Sequence, residues 1–226
     1  PKSKSTMKKN YLKLTGLSLA IALLISSCMP EGETPMTSEA AKLANEVADA
    51  GNQEVGGENF RKGQKEYFYQ ERFSNQSIAG QPEVPPFAFP GFGRGEATFL
   101  GRSFSFFNQY AISEPDQNGQ AETIAAPVTQ FFSQQLTTLG LDVEAIDSNE
   151  KLVSSITTDG KGNAIFFNNV SNKVQFDSMG NITFVAEVEI VGGTGRFKGA
   201  SGKGTVNGNV GAEGKGNTVV RAIIVF

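Results

Sequence analysis

The sequence predicts an all-β domain, an antiparallel sandwich or barrel, and three observations carry that prediction. Segments with β-favouring composition recur closely from residue 65 to the C-terminus. Short Gly/Asn/Asp turns separate the later ones: "DGKGN" (159–163), "DSMGN" (177–181), "NGNVG" (207–211) and "AEGKGN" (212–217). The terminal run 217–226 is apolar on both faces, so it needs cover outside the sheet as well as inside. Closely spaced strands joined by Gly-rich turns are the pattern of such folds.

The elements follow in order. Met29 to about Gly57 reads as a tether. It begins with Pro, Gly, Glu and Thr and has little to bury. Within it "SEAAKLANEVADAG" carries a thin stripe of Leu43, Ala44, Val47 and Ala48, which predicts a frayed helix. The predicted domain boundaries are 1–27, 28–57 and 58–226, the last being the β domain. Its first strand is "KEYFYQERF" (65–73). "PEVPPFAFPGFG" (82–93) reads as an extended Pro/Phe loop, and the run 96–112 is long for one strand. In "APVTQFFSQQLTTLG", Val128, Phe131, Phe132, Leu136 and Leu139 fall on one helical face. Pro127 stands at the first turn and Gly140 at the stop, which predicts a short amphipathic helix near 127–139. That helix is the candidate cover for the two-sided terminal strand. Further strands are predicted at 151–158, 163–170, 182–191, 202–210 and 217–226. In 182–191, Ile182, Phe184, Ala186, Val188 and Ile190 alternate with Thr183, Glu187 and Glu189, so the glutamates face solvent.

The N-terminus carries a targeting pattern. After Met7 come Lys8, Lys9 and Lys13, then an apolar stretch from Leu14 to Ile25, too short for a comfortable membrane span. Ile25-Ser26-Ser27-Cys28 then sets small residues before the chain's one cysteine. This segment resembles the signal peptide of bacterial lipoproteins. The resemblance implies cleavage between Ser27 and Cys28 and lipidation of Cys28. It implies an anchor in the cell envelope, with Met29 favouring the outer membrane, and Pro1 to Thr6 lying upstream of the start. A lipid anchor gains about 0.8 kcal/mol per buried methylene.

Composition excludes several chemistries. Residues 1–27 hold five lysines and no acid, so their removal takes a net charge of −3 to −8. An acidic protein is a poor polyanion binder, and nucleic acid is not an expected partner. There is no histidine, which rules out imidazole triads and His-ligated metals. Lipidation of Cys28 would remove thiol chemistry. No cofactor and no metal site is expected. Phenylalanine dominates the aromatics, 18 against 4 tyrosines, as expected of a dry apolar core.

The stretch "VGGTGRFKGASGKG" (191–204) looks like a phosphate cradle and fails as one. A P-loop ending at Gly202-Lys203 needs glycine at 197, where Phe197 stands, and Ser or Thr at 204, where Gly204 stands. The dinucleotide pattern fits at Gly193 and Gly195 and fails at Lys198. Neither loop is followed by a helix-forming sequence. The expected role is structural: turn and curvature from glycines, and Phe197 placed in the core. The residues Gly192, Gly193, Thr194, Gly195, Phe197, Gly199, Ala200 and Gly202 are similar to the "GGTG-x-F-x-x-A-x-G" stretch of the dirigent and allene oxide cyclase-like β-barrels. "GRGEATFLGR" (93–102) also resembles a segment of that family, with Phe99 where histidine is usual. The resemblance implies a closed antiparallel barrel of about eight strands with a central cavity, and trimers in the plant members. It transfers no catalytic residue to this chain.

The remaining acid–base candidates are carboxylates. Glu187 and Glu189 share a strand face and read as solvated, and Glu96 opens a strand. Asp142, Glu144, Asp147, Asn149 and Glu150 lack calcium-loop spacing and read as an acidic loop. The function expected is that of a lipid-anchored envelope protein with a non-enzymatic binding or structural barrel, its lumen the place for an apolar small molecule. The alternative is a cofactor-free isomerase or cyclase acting on an apolar substrate there. The enzyme question is left open, leaning against catalysis. A third reading is a homotrimer that buries strand 217–226. The lumen discriminates: an enzyme needs an inward carboxylate or tyrosine at the end of an apolar pocket, whereas a structural barrel is filled with Phe and Ile.

Overall fold

The computed structural model describes residues 65–78 and 87–226. Ser27, Cys28, the tether and the first residues of the Pro/Phe loop lie outside them. The chain forms a closed antiparallel barrel of eight staves. Its strands are β1 (Glu66–Ser77), β2 (Phe87–Ala88), β3 (Gly91–Ala97), β4 (Gly101–Phe107), β5 (Gln109–Ala111) and β6 (Gln120–Ala125). After two helices, α1 (Thr129–Thr138) and α2 (Val143–Asp147), come β7 (Ser155–Thr158), β8 (Ala164–Phe176), β9 (Ile182–Thr194), β10 (Ser201–Val210) and β11 (Lys215–Val225). The ring runs β1-β3-β4-β7-β8-β9-β10-β11 and back to β1.

One stave is split. β8 pairs along one edge with β7 through Ala164–Phe167 and with β6 through Asn172–Gln175. On the opposite side, β4 pairs with β7 and β5 pairs with β6. Thus β6 and β7 fill one place in the wall end to end. The chain between them leaves the wall and carries both helices. Asn108, between β4 and β5, sits at the split, where its backbone N–H donates to Ser154 O at 2.9 Å.

Several predicted elements change extent. The run 96–112 divides because Thr98–Leu100 form a turn between β3 and β4. Strand 151–158 shrinks to Ser155–Thr158 because the preceding residues connect to the helices. Strand 163–170 instead runs on to Phe176, with a bulge at Asn169/Ser171 that absorbs its loss of alternation. β6 has no apolar alternation and was not predicted, and part of the Pro/Phe loop is strand β3. The stretch expected as an acidic loop is partly helical: 143–147 form α2, and Asp142 caps it by accepting from Ala145 N at 3.1 Å.

α1 forms where predicted, but its cover lies elsewhere. Phe132 and Leu136 pack with Phe106, Ile156, Ala164 and Phe166 on the outer face of β4, β7 and β8, not on β11. Phe131, on the helix flank, stays 37% exposed. α2 is tied to α1 by the Thr129 hydroxyl donating to Asp147 Oδ1.

A second apolar cluster fills one end of the barrel interior, with Tyr69, Ile165, Phe167, Val188 and Ile224 around a fully buried Phe197. Gly195 begins the 3₁₀ turn Gly195–Phe197 at φ +59°, and that turn inserts the ring. At Gly202 a Cβ would lie 2.1 Å from Ile223 O, so only glycine lets β10 approach β11 this closely. Thr194 ends β9, Ala200 is buried beside Phe197, and no helix longer than that one turn follows. Arg196, Lys198 and Lys203 are exposed. Phe99 adopts φ +68°, a conformation that costs a non-glycine residue about 1–3 kcal/mol. Its ring stands edge-on to Tyr67 (5.7 Å) and Phe226 (5.5 Å), and Phe226 meets Phe197 at 5.0 Å. Such aromatic pairs add about 0.5–1.5 kcal/mol each, enough to hold the turn.

Phe197→Ala should therefore lower unfolding free energy by about 3–5 kcal/mol in a denaturant titration, while Phe131→Ala should cost about 1 kcal/mol or less. Equal losses at the two positions would contradict Phe197 as the plug of the barrel.

Candidate functional site

Beyond the plug the barrel is hollow. The open end is framed by the ends of β1, β5, β8, β9 and β10, at Ser77, Ala111, Phe176, Ile182 and Val210. The lumen offers about 170 Å³ to the centres of water-sized molecules, more than ten times what one water requires. Phe73, Phe107, Phe167, Phe184, Val188 and Val220 form much of its apolar wall. These positions follow from strand alternation: every second residue of each stave faces inward.

The floor of this space is acidic. On β1 the inward set is Tyr69, Glu71, Phe73, Asn75 and Ser77. Glu71 lies six residues in from Ser77, about 20 Å of strand. It is 2% exposed. The Tyr69 hydroxyl donates to Glu71 Oε1, and the Thr157 hydroxyl on β7 reaches both groups. No lysine or arginine among the described residues lines the lumen, so no cation compensates the carboxyl. Burial pushes its pKa up to about 7, against the smaller opposing effect of the Tyr69 and Thr157 hydrogen bonds. Burial, and next the neighbouring Glu71 charge, push the Tyr69 phenol well above its usual value. A carboxyl with a pKa near neutrality, in an apolar pocket, exchanges a proton readily at physiological pH.

The carboxylates weighed from sequence are elsewhere. Glu187 and Glu96 are exposed on the outer face. Glu189 also faces outward, where Lys151 Nζ, 2.6 Å away, donates to it and holds its carboxyl below the usual range. The acids of 142–150 do not converge, and no group of three His, Cys, Asp or Glu side chains among the described residues does. Glu71 was missed, although its signal is readable: it shares the odd-numbered phase with Tyr67, Tyr69 and Phe73, while Gln70, Arg72 and Ser74 share the other. Phe68 in the even phase obscures that pattern, and it is 56% exposed.

No family model, curated protein or solved structure matches this chain.

The sign of the pH effect follows from the raised pKa. The folded state binds the Glu71 proton more tightly than the unfolded chain does. Its contribution is complete below the unfolded pKa near 4.5 and is lost as pH rises through about 7. Stability should fall by about 3 kcal/mol across that window. Glu71→Gln should flatten the fall, and the Glu71 carboxyl ¹³C resonance should titrate with a midpoint near 7. A midpoint near 4.5, or an unchanged slope in the variant, would remove Glu71 as the group responsible.

Proposed function

We propose that this chain is a lipid-anchored protein of the bacterial cell envelope whose barrel lumen holds a small, largely apolar molecule with its polar group against Glu71.

 The observation that carries this reading is a hollow lumen with an apolar wall and, at its floor, a buried carboxyl that no cation neutralises. Burying a carboxyl beside open space costs stability, and a purely structural barrel gains nothing from it. The anchor rests on the sequence alone: the lysines after Met7, the short apolar stretch and the Ser27-Cys28 junction. The outer membrane and kinship with the allene oxide cyclase-like barrels belong to the same proposal, on Met29 and on the residues 191–204.

A second reading is favoured by one feature of the same site. At neutral pH a carboxyl with a pKa of about 7 is divided between its acid and base forms. Glu71 is thereby suited to take a proton from one carbon or oxygen of a bound molecule and return it to another. This is the chemistry of a cofactor-free isomerase or cyclase. Here Tyr69, held protonated, would donate a hydrogen bond to the carboxyl rather than titrate.

The test is native mass spectrometry of the protein purified from its own membranes. Wild type should carry a small molecule that is lost from Ala186→Phe, which fills the lumen from β9. A wild-type spectrum with no added mass, after gentle extraction, would argue against a resident ligand. Glu71→Gln separates the two readings: a binder retains the molecule with altered affinity, whereas an isomerase retains it and stops converting it. For the anchor, Cys28→Ser should lose incorporation of labelled fatty acid and leave the membrane fraction.

A further inference from the structure

The lumen has a second polar station, built where the split stave interrupts the wall. Asn108, fully buried, donates through Nδ2 to Pro127 O at 3.0 Å and to Gln130 Oε1 at 3.1 Å. A carbonyl only accepts, so the Pro127 bond fixes the amide's orientation and leaves Oδ1 without a partner. Asn169 and Asn172 flank the bulge of β8. The bulge turns Val170 and Ser171 both outward and keeps both asparagines facing inward. Asn172 donates to Thr123 Oγ1 at 2.7 Å and to Gln109 Oε1 at 2.5 Å, and its Oδ1 is unpaired. The Asn169 side chain has no partner on either atom, while its backbone N–H donates to Ser154 Oγ at 2.9 Å. The three residues are 0%, 8% and 4% exposed, and all line the lumen. Asn75 Oδ1 is also unpaired, but it packs against Gly93 in the wall.

The unpaired atoms are unequal in kind: three amide oxygens against one amide nitrogen. Leaving a buried acceptor unmatched costs about 1–3 kcal/mol. The lumen therefore gains most from a guest that brings hydrogen-bond donors. A guest carboxylate would add acceptors instead. The ionisable groups lining the lumen, among the described residues, are the acids Glu71 and Glu114, with no lysine or arginine to receive an anion.

Resting on the reading of the lumen as a ligand site, we infer that it selects apolar molecules with a donor head group, an alcohol or an amine, over carboxylates of the same length, and that Asn108, Asn169 and Asn172 receive the donor.

The experiment compares octan-1-ol, octylamine and octanoate by calorimetry at neutral pH. It uses the full chain carrying Cys28→Ser, so that no detergent competes for the lumen. Octan-1-ol and octylamine should bind at least about tenfold tighter than octanoate, the ratio that one satisfied acceptor gives. Asn169→Leu and Asn172→Leu, each checked for retained thermal unfolding, should bring octan-1-ol and octanoate to within about threefold. Octanoate binding as tightly as octan-1-ol overturns the selectivity and leaves lumen binding standing. Selectivity unchanged in both variants overturns the assignment to the asparagines. Failure of all three compounds to bind overturns the selectivity together with the ligand-site reading.

Discussion

The hydrogen bond from the Tyr69 hydroxyl to the Glu71 carboxyl joins two different interiors. Tyr69 belongs to the packed end, tilted against Phe167 with ring centroids 6.2 Å apart. Glu71, the next inward residue on the same strand, faces the hollow. A carboxyl in such a place loses hydration that no cation replaces, and its pKa rises. The donors that limit this rise are Tyr69, from the packed side, and Thr157, from the lumen wall. The dry plug is therefore more than filler. Phe197, Ile165 and Ile224 hold Tyr69 in place, and Tyr69 in turn orients the carboxyl. Loosening the plug would let water reach Glu71 and return it towards an ordinary surface acid.

The split stave has an equally physical consequence. A continuous strand between β4–β5 and β8 would satisfy every backbone group of the wall and leave its inward side chains to alternate regularly. Two short strands meeting end to end leave a seam. Asn108 and Ser154 stitch it with backbone and side-chain bonds, while the bulge of β8 restores the inward phase beyond it. Polar residues are needed at such a seam because backbone groups there lack ladder partners. Their unpaired amide atoms are left to the lumen, which is how an otherwise apolar wall comes to hold a group of amides.

The legible and illegible parts of this protein divide along the same lines. Strands with a single apolar phase, such as 182–191, were readable because one face meets a core and the other water. The helix near 127–139 was readable from its stripe, but its partner was not: the stripe says that a face is buried, not against what. β6 escaped notice because its sequence, Gln120–Ala125, has no clean alternation; it is fixed by its neighbours β5 and β8 rather than by its own propensity. Glu71 escaped because carboxylates on strands are mostly solvated and because Phe68, in the opposite phase, blurs the alternation that marks the enclosed face of β1. The asparagines of the seam carry no pattern at all in sequence. Their juxtaposition depends on pairings between residues up to 63 positions apart, as in Asn172 to Gln109.

A hollow barrel raises the question of what replaces the missing half of its core. In this chain the answer lies outside the wall. Phe106, Ile156 and Phe166 point outward, where a smaller barrel surface would be polar, and α1 and α2 cover them with Phe132, Leu136 and Ile146. Burying side chains of this size contributes about 1.5–3 kcal/mol each. Stability is thus drawn from two places, the plug at one end and the layer beneath the helices on one side. The lumen between them is relieved of packing duty. Its side chains are then free to be chosen for what they meet rather than for how well they fill, and it is there that the unneutralised carboxyl and the unpaired amides are found.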